Sequence, residues 1–341
     1  MGIIIGVFAD RIGKRKIFII IGCLGSILFY SLMILATDYV MLLIFRFCQG
    51  SFTIISWQIL MTLVLDVSNS ENRGKNLGIF GIFLALAMGL GPMFGGFIAD
   101  YNVFVPYCIA IAANSIVLVG ILTLLKEPTH LKKRPSFKDN ITIVNRAPEL
   151  IIPGIFNFID RLHMGFIVYA LPLFIPVVLG YGPSIRGIIL GIYAIPFIVL
   201  QYPVGKYSDK HGRYKILILG SLGFGIMLSL AAYFGSFGLG ILIIWFVILG
   251  ILSGVTGPPS MALVGDFVES EDNAMGMGFF NFLGNVGIIL GPMFGGLLAP
   301  HFLKDEFIFA FFIAGLVELI SLVICILFIL KFRGSLRSKS L

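Results

Sequence analysis

Charge is scarce in this chain of 341 residues, since Asp, Glu, Lys and Arg make up only 12% of it, whereas soluble domains carry roughly 25%. So few charges cannot cover the surface of a chain that is 58% hydrophobic, which excludes a soluble globular protein and a disordered one. The four cysteines lie in apolar stretches without metal-type spacing, so neither a disulfide framework nor a metal site is predicted. The net charge of +7 is divided among short segments, which argues against a nucleic-acid partner.

Long apolar runs are abundant instead. A membrane-spanning helix needs about 20 mostly apolar residues, and the runs lack the period-2 alternation of barrel strands. We therefore predict an all-α, polytopic transmembrane helix bundle. Its ten predicted spans are Ile17–Thr37, Val40–Leu65, Leu77–Ala99, Val103–Leu125, Pro153–Leu179, Gly187–Val204, Ile216–Phe237, Gly240–Gly265, Ala274–Pro300 and Phe307–Leu330.

Lys and Arg are concentrated in alternate connecting segments. Those segments and the C-terminal tail hold 20 of the 24 Lys and Arg residues, and the intervening loops hold 2. Cytosolic loops carry such a positive excess. We therefore expect a multi-pass protein of the plasma or inner membrane with the segment around Asp10, the long middle loop and the C-terminus in the cytosol.

Two landmarks recur about 200 residues apart, which is the signature of an internal repeat. Gly6–Lys16 resembles Gly205–Lys215, and Gly91–Gly96 returns letter for letter as Gly291–Gly296. The repeat predicts four regions: an N-terminal helical half (1–126), a cytosolic linker (127–148), a C-terminal helical half (149–331) and a basic tail (332–341). Aligning the halves leaves the first shorter by about fifty residues, so we expect an upstream start codon or a truncated product.

The landmarks resemble signatures of the major facilitator superfamily, the two-fold secondary transporters with twelve helices. Gly6–Lys16 resembles the loop signature G-x-L-A-D-R-x-G-R-R, with Phe8 in place of Leu. Arg46–Gly50 resembles the fourth-helix signature R-x-x-Q-G, and Gly89–Gly96 resembles a glycine–proline signature of efflux antiporters. The resemblance implies two pseudo-two-fold-related halves that alternately expose a substrate site near the midplane.

The resemblance further implies a gating latch at the cytosolic turns. There the Asp10 carboxylate contacts the cytosolic start of a helix in the other half, near residues 273–278, because helix N-termini favour negative charge. Glycine permits the sharp turn, and the alternative is a charge cluster that only fixes topology. The predicted latch residues are Gly6, Asp10, Arg11, Gly13, Lys14, Gly205, Asp209, Gly212 and Arg213.

Ionisable side chains inside the spans predict a proton-coupling site. An Arg at a helix centre costs about 2.5–3.5 kcal/mol on insertion scales, so Arg46 needs a partner or a wet cavity unless it snorkels to the interface. Asp160 and His163 stand three residues apart and predict either a proton relay or an ion cluster. Glu318 is expected at the lipid edge or in a structural role. The predicted coupling residues are Asp160 and His163 by their chemistry, and Arg46 and Gln49 by what the family resemblance implies.

The glycine–proline segments and the polar side chains of the spans supply the remaining candidates. A bend that guides rocking, or plain helix packing, is expected at Gly89, Gly91, Pro92, Gly95, Gly96, Gly291, Pro292, Gly295 and Gly296. Phe-rich spans of low charge predict a large apolar cavity with few polar anchors. The predicted anchors, with interhelical hydrogen bonds as the alternative, are Thr53, Trp57, Asn157, Arg161, Gln201, Trp245, Asn281 and Asn285.

The resulting hypothesis is a monomeric transporter in the lipid bilayer that exports small lipophilic molecules in exchange for protons. Uptake symport or facilitation by the same fold is the first alternative. A non-transporting remnant or membrane interaction protein is the second. No cofactor or metal is predicted, and the sequence has no G-x-x-x-x-G-K-[ST] motif for ATP. An enzyme is disfavoured because no catalytic arrangement shares one membrane depth.

Overall fold

The computed structural model describes residues 14–66, 68, 73–125, 127, 137–269 and 272–332. Within these ranges the regular structure is helical and contains no strand. The helices are α1 (Lys16–Ile34), α2 (Tyr39–Asp66), α3 (Arg73–Tyr101), α4 (Val105–Leu124), α5 (Phe137–Thr142), α6 (Ile151–Phe174), α7 (Pro183–His211), α8 (Arg213–Gly235), α9 (Leu239–Phe267), α10 (Asn273–Leu298) and α11 (Lys304–Lys331).

Ten of the helices in the described ranges are long and apolar enough to cross a membrane. Each overlaps most of one of the ten apolar runs, and the short α5 lies between the fourth and fifth of them. The predicted all-α transmembrane bundle is therefore confirmed. α6 continues into a π-helical turn (Ile175–Leu179) that ends at Gly180, whose φ of 72° lies in the left-handed region favoured by glycine.

The backbone forms two compact units. The first comprises residues 1–86 and 97–133, and the second comprises residues 87–96 and 134–341. The sequence-based division at residues 126 and 149 stays a prediction, as does the two-fold relation between the halves.

In the first unit, α1 packs against α2 and α4. Gly22 and Gly25 allow this approach, because a Cβ at either position would overlap Phe52 on α2. The Glu127 carboxylate accepts hydrogen bonds from the backbone N–H groups of Arg15 and Lys16 at the start of α1. A carboxylate in this position neutralises the positive end of the helix dipole.

In the second unit, the closest helix pairs are α6 with α10, α7 with α9, and α8 with α11. An aromatic core holds α6 to α11, where the rings of Phe166 and Phe311 meet edge to face at 4.9 Å. Where α10 crosses α6, a Cβ on Gly287 or Gly291 would overlap the backbone of the neighbouring helix. Small residues of this kind let membrane helices come into backbone contact.

Candidate functional site

An apolar cavity of about 250 Å³ lies within the second unit. The walls come from one short stretch of α3 and from α6, α7 and α9. Asp160 on α6 is the charged member of the lining within the described part of the chain. The full lining is Ala87, Met88, Pro92, Asp160, Met164, Val168, Leu190, Tyr193, Ala194, Phe197, Ile198 and Ser253.

Two hydroxyl groups connect Asp160 to the opposite walls. The Ser253 hydroxyl on α9 donates a hydrogen bond to Asp160 Oδ1 at 3.3 Å. The Tyr193 hydroxyl on α7 donates to Ser253 Oγ, also at 3.3 Å. The carboxylate therefore has polar contacts at the cavity wall, while the rest of that wall offers carbon and sulfur.

His163 lies one turn from Asp160, but its ring is fully buried and faces a separate cluster on α11. His163 Nε2 lies 2.9 Å from the carbonyl oxygen of Ala314, and Nδ1 lies 3.0 Å from Glu318 Oε2. The Ser221 hydroxyl donates to the other oxygen of Glu318. The expected lipid-edge position of Glu318 is wrong, since this side chain is buried between α6, α8 and α11.

The His163–Glu318 pair connects α6 to α11. A carbonyl oxygen only accepts, so His163 Nε2 carries a hydrogen towards Ala314. On the other side of the ring, Nδ1 faces Oε2 of the Glu318 carboxyl group at 3.0 Å.

Three predicted anchors of the second unit contact protein instead of the cavity. Asn157 is buried and donates to the Phe280 carbonyl at 2.7 Å. Trp245 Nε1 donates to the Met227 carbonyl at 2.7 Å. Arg161 Nη1 lies 3.5 Å from Met164 Sδ, outside the lining. For Asn157 and Trp245 the contacts match the alternative of interhelical hydrogen bonds.

The other predicted anchors of the second unit have no contact with this cavity either. Gln201, Asn281 and Asn285 are exposed side chains on α7 and α10. They are absent from the lining within the described part of the chain.

In the first unit, polar side chains form a continuous hydrogen-bonded row. Arg46 Nη1 donates to Gln49 Oε1 at 2.9 Å, and Gln49 Nε2 donates to Thr53 Oγ1 at 2.7 Å. Thr53 Oγ1 also lies 3.1 Å from Ser26 Oγ on α1. Trp57, which follows on α2, packs instead against the ring of Phe80 at 5.2 Å.

The first glycine–proline segment lies directly against α7. A Cβ on Gly187 would overlap the Pro92 carbonyl oxygen, and one on Gly96 would overlap that of Pro183. A Cβ on Gly191 would overlap the Met93 side chain. Gly91 has free space where its Cβ would stand, as has Gly95. The segment thus brings two backbones together at the edge of the cavity.

The second glycine–proline segment packs in the same manner on α6. A Cβ on Gly291 would overlap the Leu162 carbonyl oxygen, and one on Gly295 would stand 2.8 Å from the Tyr169 ring. A Cβ on Gly296 would stand 3.2 Å from the Tyr169 hydroxyl, and the Pro292 ring lies beside Gly165. Both copies therefore provide close helix contact, and the bending role stays a prediction.

The second copy of the predicted latch forms a charged cluster where α7, α8 and α9 end or begin. Arg213 Nη2 lies 3.2 Å from Asp209 Oδ1, and Arg213 Nη1 lies 2.8 Å from Asp266 Oδ2. Gly212 makes the turn between the helices with φ of 92°. Gly205 lies one turn before Asp209 on α7.

The first copy of the latch falls largely outside the described residues. Gly6, Asp10, Arg11 and Gly13 precede residue 14, and the exposed Lys14 is the member that the structure describes.

Sequence reasoning missed the aromatic and sulfur side chains of the cavity and the partner of Glu318. Tyr193 and Phe197 stand one helical turn apart on α7, so their common face was visible in the sequence. Gly187-Ile-Ile-Leu-Gly191 was also visible, because Gly287-Ile-Ile-Leu-Gly291 repeats it letter for letter. The G-x-x-x-G spacing of both marks helix contact faces.

A family model described as Major Facilitator Superfamily matches residues 1–159 and 154–340. The chain belongs to the major facilitator superfamily. Membership agrees with the expectation of a multi-pass membrane protein.

Individual members of the superfamily match different lengths of the chain. An uncharacterized MFS-type transporter of Methanocaldococcus jannaschii is 29% identical over 297 residues, which are 82% of this chain and 70% of that protein. The class H tetracycline resistance protein of Pasteurella multocida is 30% identical over 176 residues. That match spans 51% of this chain but only 43% of the resistance protein.

A solved superfamily structure agrees with the fold over nearly the whole chain. It is a bacterial homologue of the human lysosomal transporter Spinster, in an inward-facing and occupied conformation. The TM-score is 0.75 at 15% identity, with 99% of this chain and 86% of that chain covered. At this identity the likeness establishes the shared fold and leaves the cargo open.

Proposed function

We propose that the protein is a secondary active transporter that exports small lipophilic organic molecules in exchange for protons. The observation that carries the proposal is the carboxylate of Asp160, the charged member of an apolar cavity lining among the described residues. Such a cavity suits an apolar cargo. An ionisable group inside a membrane span suits reversible protonation. The name of the Pasteurella relative, a tetracycline resistance protein, supports export of an organic molecule.

The coupling groups in this proposal are Asp160 and Arg46, each with its hydrogen-bonded neighbours. Asp160 takes up a proton from one side of the membrane and releases it to the other as the cavity changes its exposure. Gln49 holds Arg46 by a direct hydrogen bond, which keeps a fixed positive charge in the first unit. His163 acts through Glu318, as a buried second proton site close to Asp160.

Alternating access in this proposal uses the cytosolic charge clusters and the glycine contacts. The cluster of Asp209, Arg213 and Asp266 ties three helix ends together on the predicted cytosolic side. By the sequence repeat, Asp10 and Arg11 serve the first half in the same way. We place the protein in the plasma or inner membrane, with its C-terminus in the cytosol, as a monomer.

Transport by the purified full chain in proteoliposomes tests the proposal. The cargo is a permanently charged dye such as ethidium, so that a pH gradient alone cannot trap it, and protein-free liposomes give the background. Export in exchange for protons predicts dye accumulation in vesicles that are acidic inside. Accumulation driven by an acidic exterior would instead establish uptake symport.

Variants at two carboxylates localise the effect. Asp160→Asn should abolish the gradient-driven part of accumulation, and Asp160→Glu should keep it. Asp305→Asn is the matched control, because Asp305 is an exposed carboxylate at the start of α11, outside the cavity. Equal accumulation by wild type and Asp160→Asn would contradict the role of Asp160.

A further inference from the structure

Among the described residues, the lining of the second unit's cavity contains one acidic group, Asp160, and no Lys, Arg or His. Its walls include the apolar side chains of Met88, Met164 and Phe197. Moving an isolated carboxylate into such surroundings is costly unless it binds a proton or a cation. A proton is available from water at any pH, so a cation that binds at the carboxylate competes with the proton for it.

Among the described residues, Asp160 makes no salt bridge with the charged groups near it. Within the described residues, no Lys, Arg or His nitrogen comes within 4.0 Å of its carboxylate. Arg161 is the next residue on α6, about 100° around the helix, and contacts Met164 Sδ instead. His163 faces Glu318 instead of Asp160, and Ser253 and Tyr193 on the facing helices contribute hydroxyl groups.

The remaining wall chemistry favours a cation over a neutral or anionic molecule. The face of an aromatic ring attracts a cation by about 0.5–2 kcal/mol, and Tyr193 and Phe197 both line the cavity. Methionine sulfur is polarizable and adapts to irregular shapes, and Met88 and Met164 add two such groups. The Asp160 carboxylate would repel an anion. Among the described residues, the lining contains no Lys or Arg that could offset this repulsion.

We propose that the cavity binds monovalent lipophilic organic cations, and that a proton and the cation compete for the carboxylate of Asp160. The inference rests on the proposed function and names its cargo class. When the cation binds to the protonated site, the O–H bond of the carboxyl group breaks and the proton leaves to water. One positive charge replaces another, so the occupied cavity is neutral in both states.

The test compares two ions of nearly the same shape and opposite charge, tetraphenylphosphonium and tetraphenylborate. Binding of each is measured by equilibrium dialysis on the purified full chain in detergent micelles. We expect saturable binding of tetraphenylphosphonium and no saturable binding of tetraphenylborate. Asp160→Asn should weaken phosphonium binding about tenfold or more, whereas Asp160→Glu and the control Asp305→Asn should retain it.

Proton release provides a second readout on the same samples. The measurement is made in weakly buffered solution, at a pH where protons compete with the cation for the wild-type protein. Under these conditions tetraphenylphosphonium should release up to one proton per bound cation. Asp160→Asn should release none. Gel filtration confirms that each variant is folded before it is measured.

Three results would overturn the inference: no phosphonium binding to wild type, equal binding to Asp160→Asn, or equal saturable binding of tetraphenylborate. Binding and transport fail independently. Phosphonium binding that depends on Asp160, without any gradient-driven transport in proteoliposomes, would refute the proposed function while leaving the cation site in place. Gradient-driven transport of a neutral cargo without phosphonium binding would do the reverse.

Discussion

His163 and Glu318 meet inside the second unit, with Nδ1 of the ring 3.0 Å from Oε2 of the carboxyl group. The two residues come from α6 and α11, 155 positions apart in the sequence, and both are buried. Ser221 donates to the same carboxyl group from α8. This pair and the Ser221 hydroxyl together join three helices.

Removal of one partner from this pair should destabilise the protein strongly. Glu318→Leu leaves the His163 ring buried without its partner, and breaking a buried pair costs about 3–5 kcal/mol. The loss is measured as a lower unfolding temperature in detergent. The double variant His163→Leu/Glu318→Leu should recover most of it, because neither the imidazole nor the carboxyl group is then buried without the other. A double variant as unstable as Glu318→Leu alone would contradict this role of the pair.

The contact between α3 and α7 predicts opposite effects of alanine at two glycines. Gly187→Ala should destabilise by about 1–3 kcal/mol, because its Cβ would overlap the Pro92 carbonyl oxygen. Gly91→Ala is the matched control on α3, with free space at its Cβ, and should be neutral or gain up to about 1 kcal/mol of helix propensity. Thermal unfolding in detergent compares them, and equal effects would argue against the close contact.

The turn between α7 and α8 predicts a similar contrast within the second latch copy. Gly212 has φ of 92°, where an L-residue is strained, so Gly212→Ala should cost roughly 1–2 kcal/mol. Gly205→Ala, in helical backbone with its nearest neighbour at 3.7 Å from the added Cβ, should be tolerated. Unfolding temperatures again measure the difference, and a harmless Gly212→Ala would contradict the need for glycine at this turn.

The Arg46 row predicts a loss of coupling that spares folding. Arg46→Gln removes the positive charge, while Gln49 and Thr53 keep their mutual hydrogen bond. We expect proton-driven dye accumulation to fall about tenfold or more, with an unchanged unfolding temperature. Ser51→Ala is the control on the same helix, since the Ser51 hydroxyl donates to the Phe47 carbonyl of its own helix backbone. Unimpaired accumulation in Arg46→Gln would restrict Arg46 to an interfacial role.

The sequence predicted the helices well because the evidence for each span is local. An apolar run of membrane length, such as that around Phe311, needs no knowledge of its neighbours to be recognised. Both glycine–proline segments were also visible, and their contact with a facing backbone follows from the absence of side chains at Gly96 and Gly291.

The partners of polar side chains could not be predicted, because helical periodicity tells which residues share a face and not which helix lies opposite. Asp160 and His163 share one turn of α6, yet one lines the cavity and the other faces Glu318. Asn157 was a reasonable cavity anchor by its polarity alone. In the structure, the Asn157 side-chain amide donates a hydrogen bond to the Phe280 carbonyl oxygen.

The most direct test of the account is proton movement caused by the cargo itself. Proteoliposomes that contain the full chain and a trapped pH-sensitive dye are given tetraphenylphosphonium outside, with the membrane potential clamped. We expect the interior to become alkaline, because each cation that enters is exchanged for a proton that leaves, and we expect Asp160→Asn to abolish this change. Entry of the cation without any proton movement, or equal alkalinisation with Asp160→Asn, would contradict it.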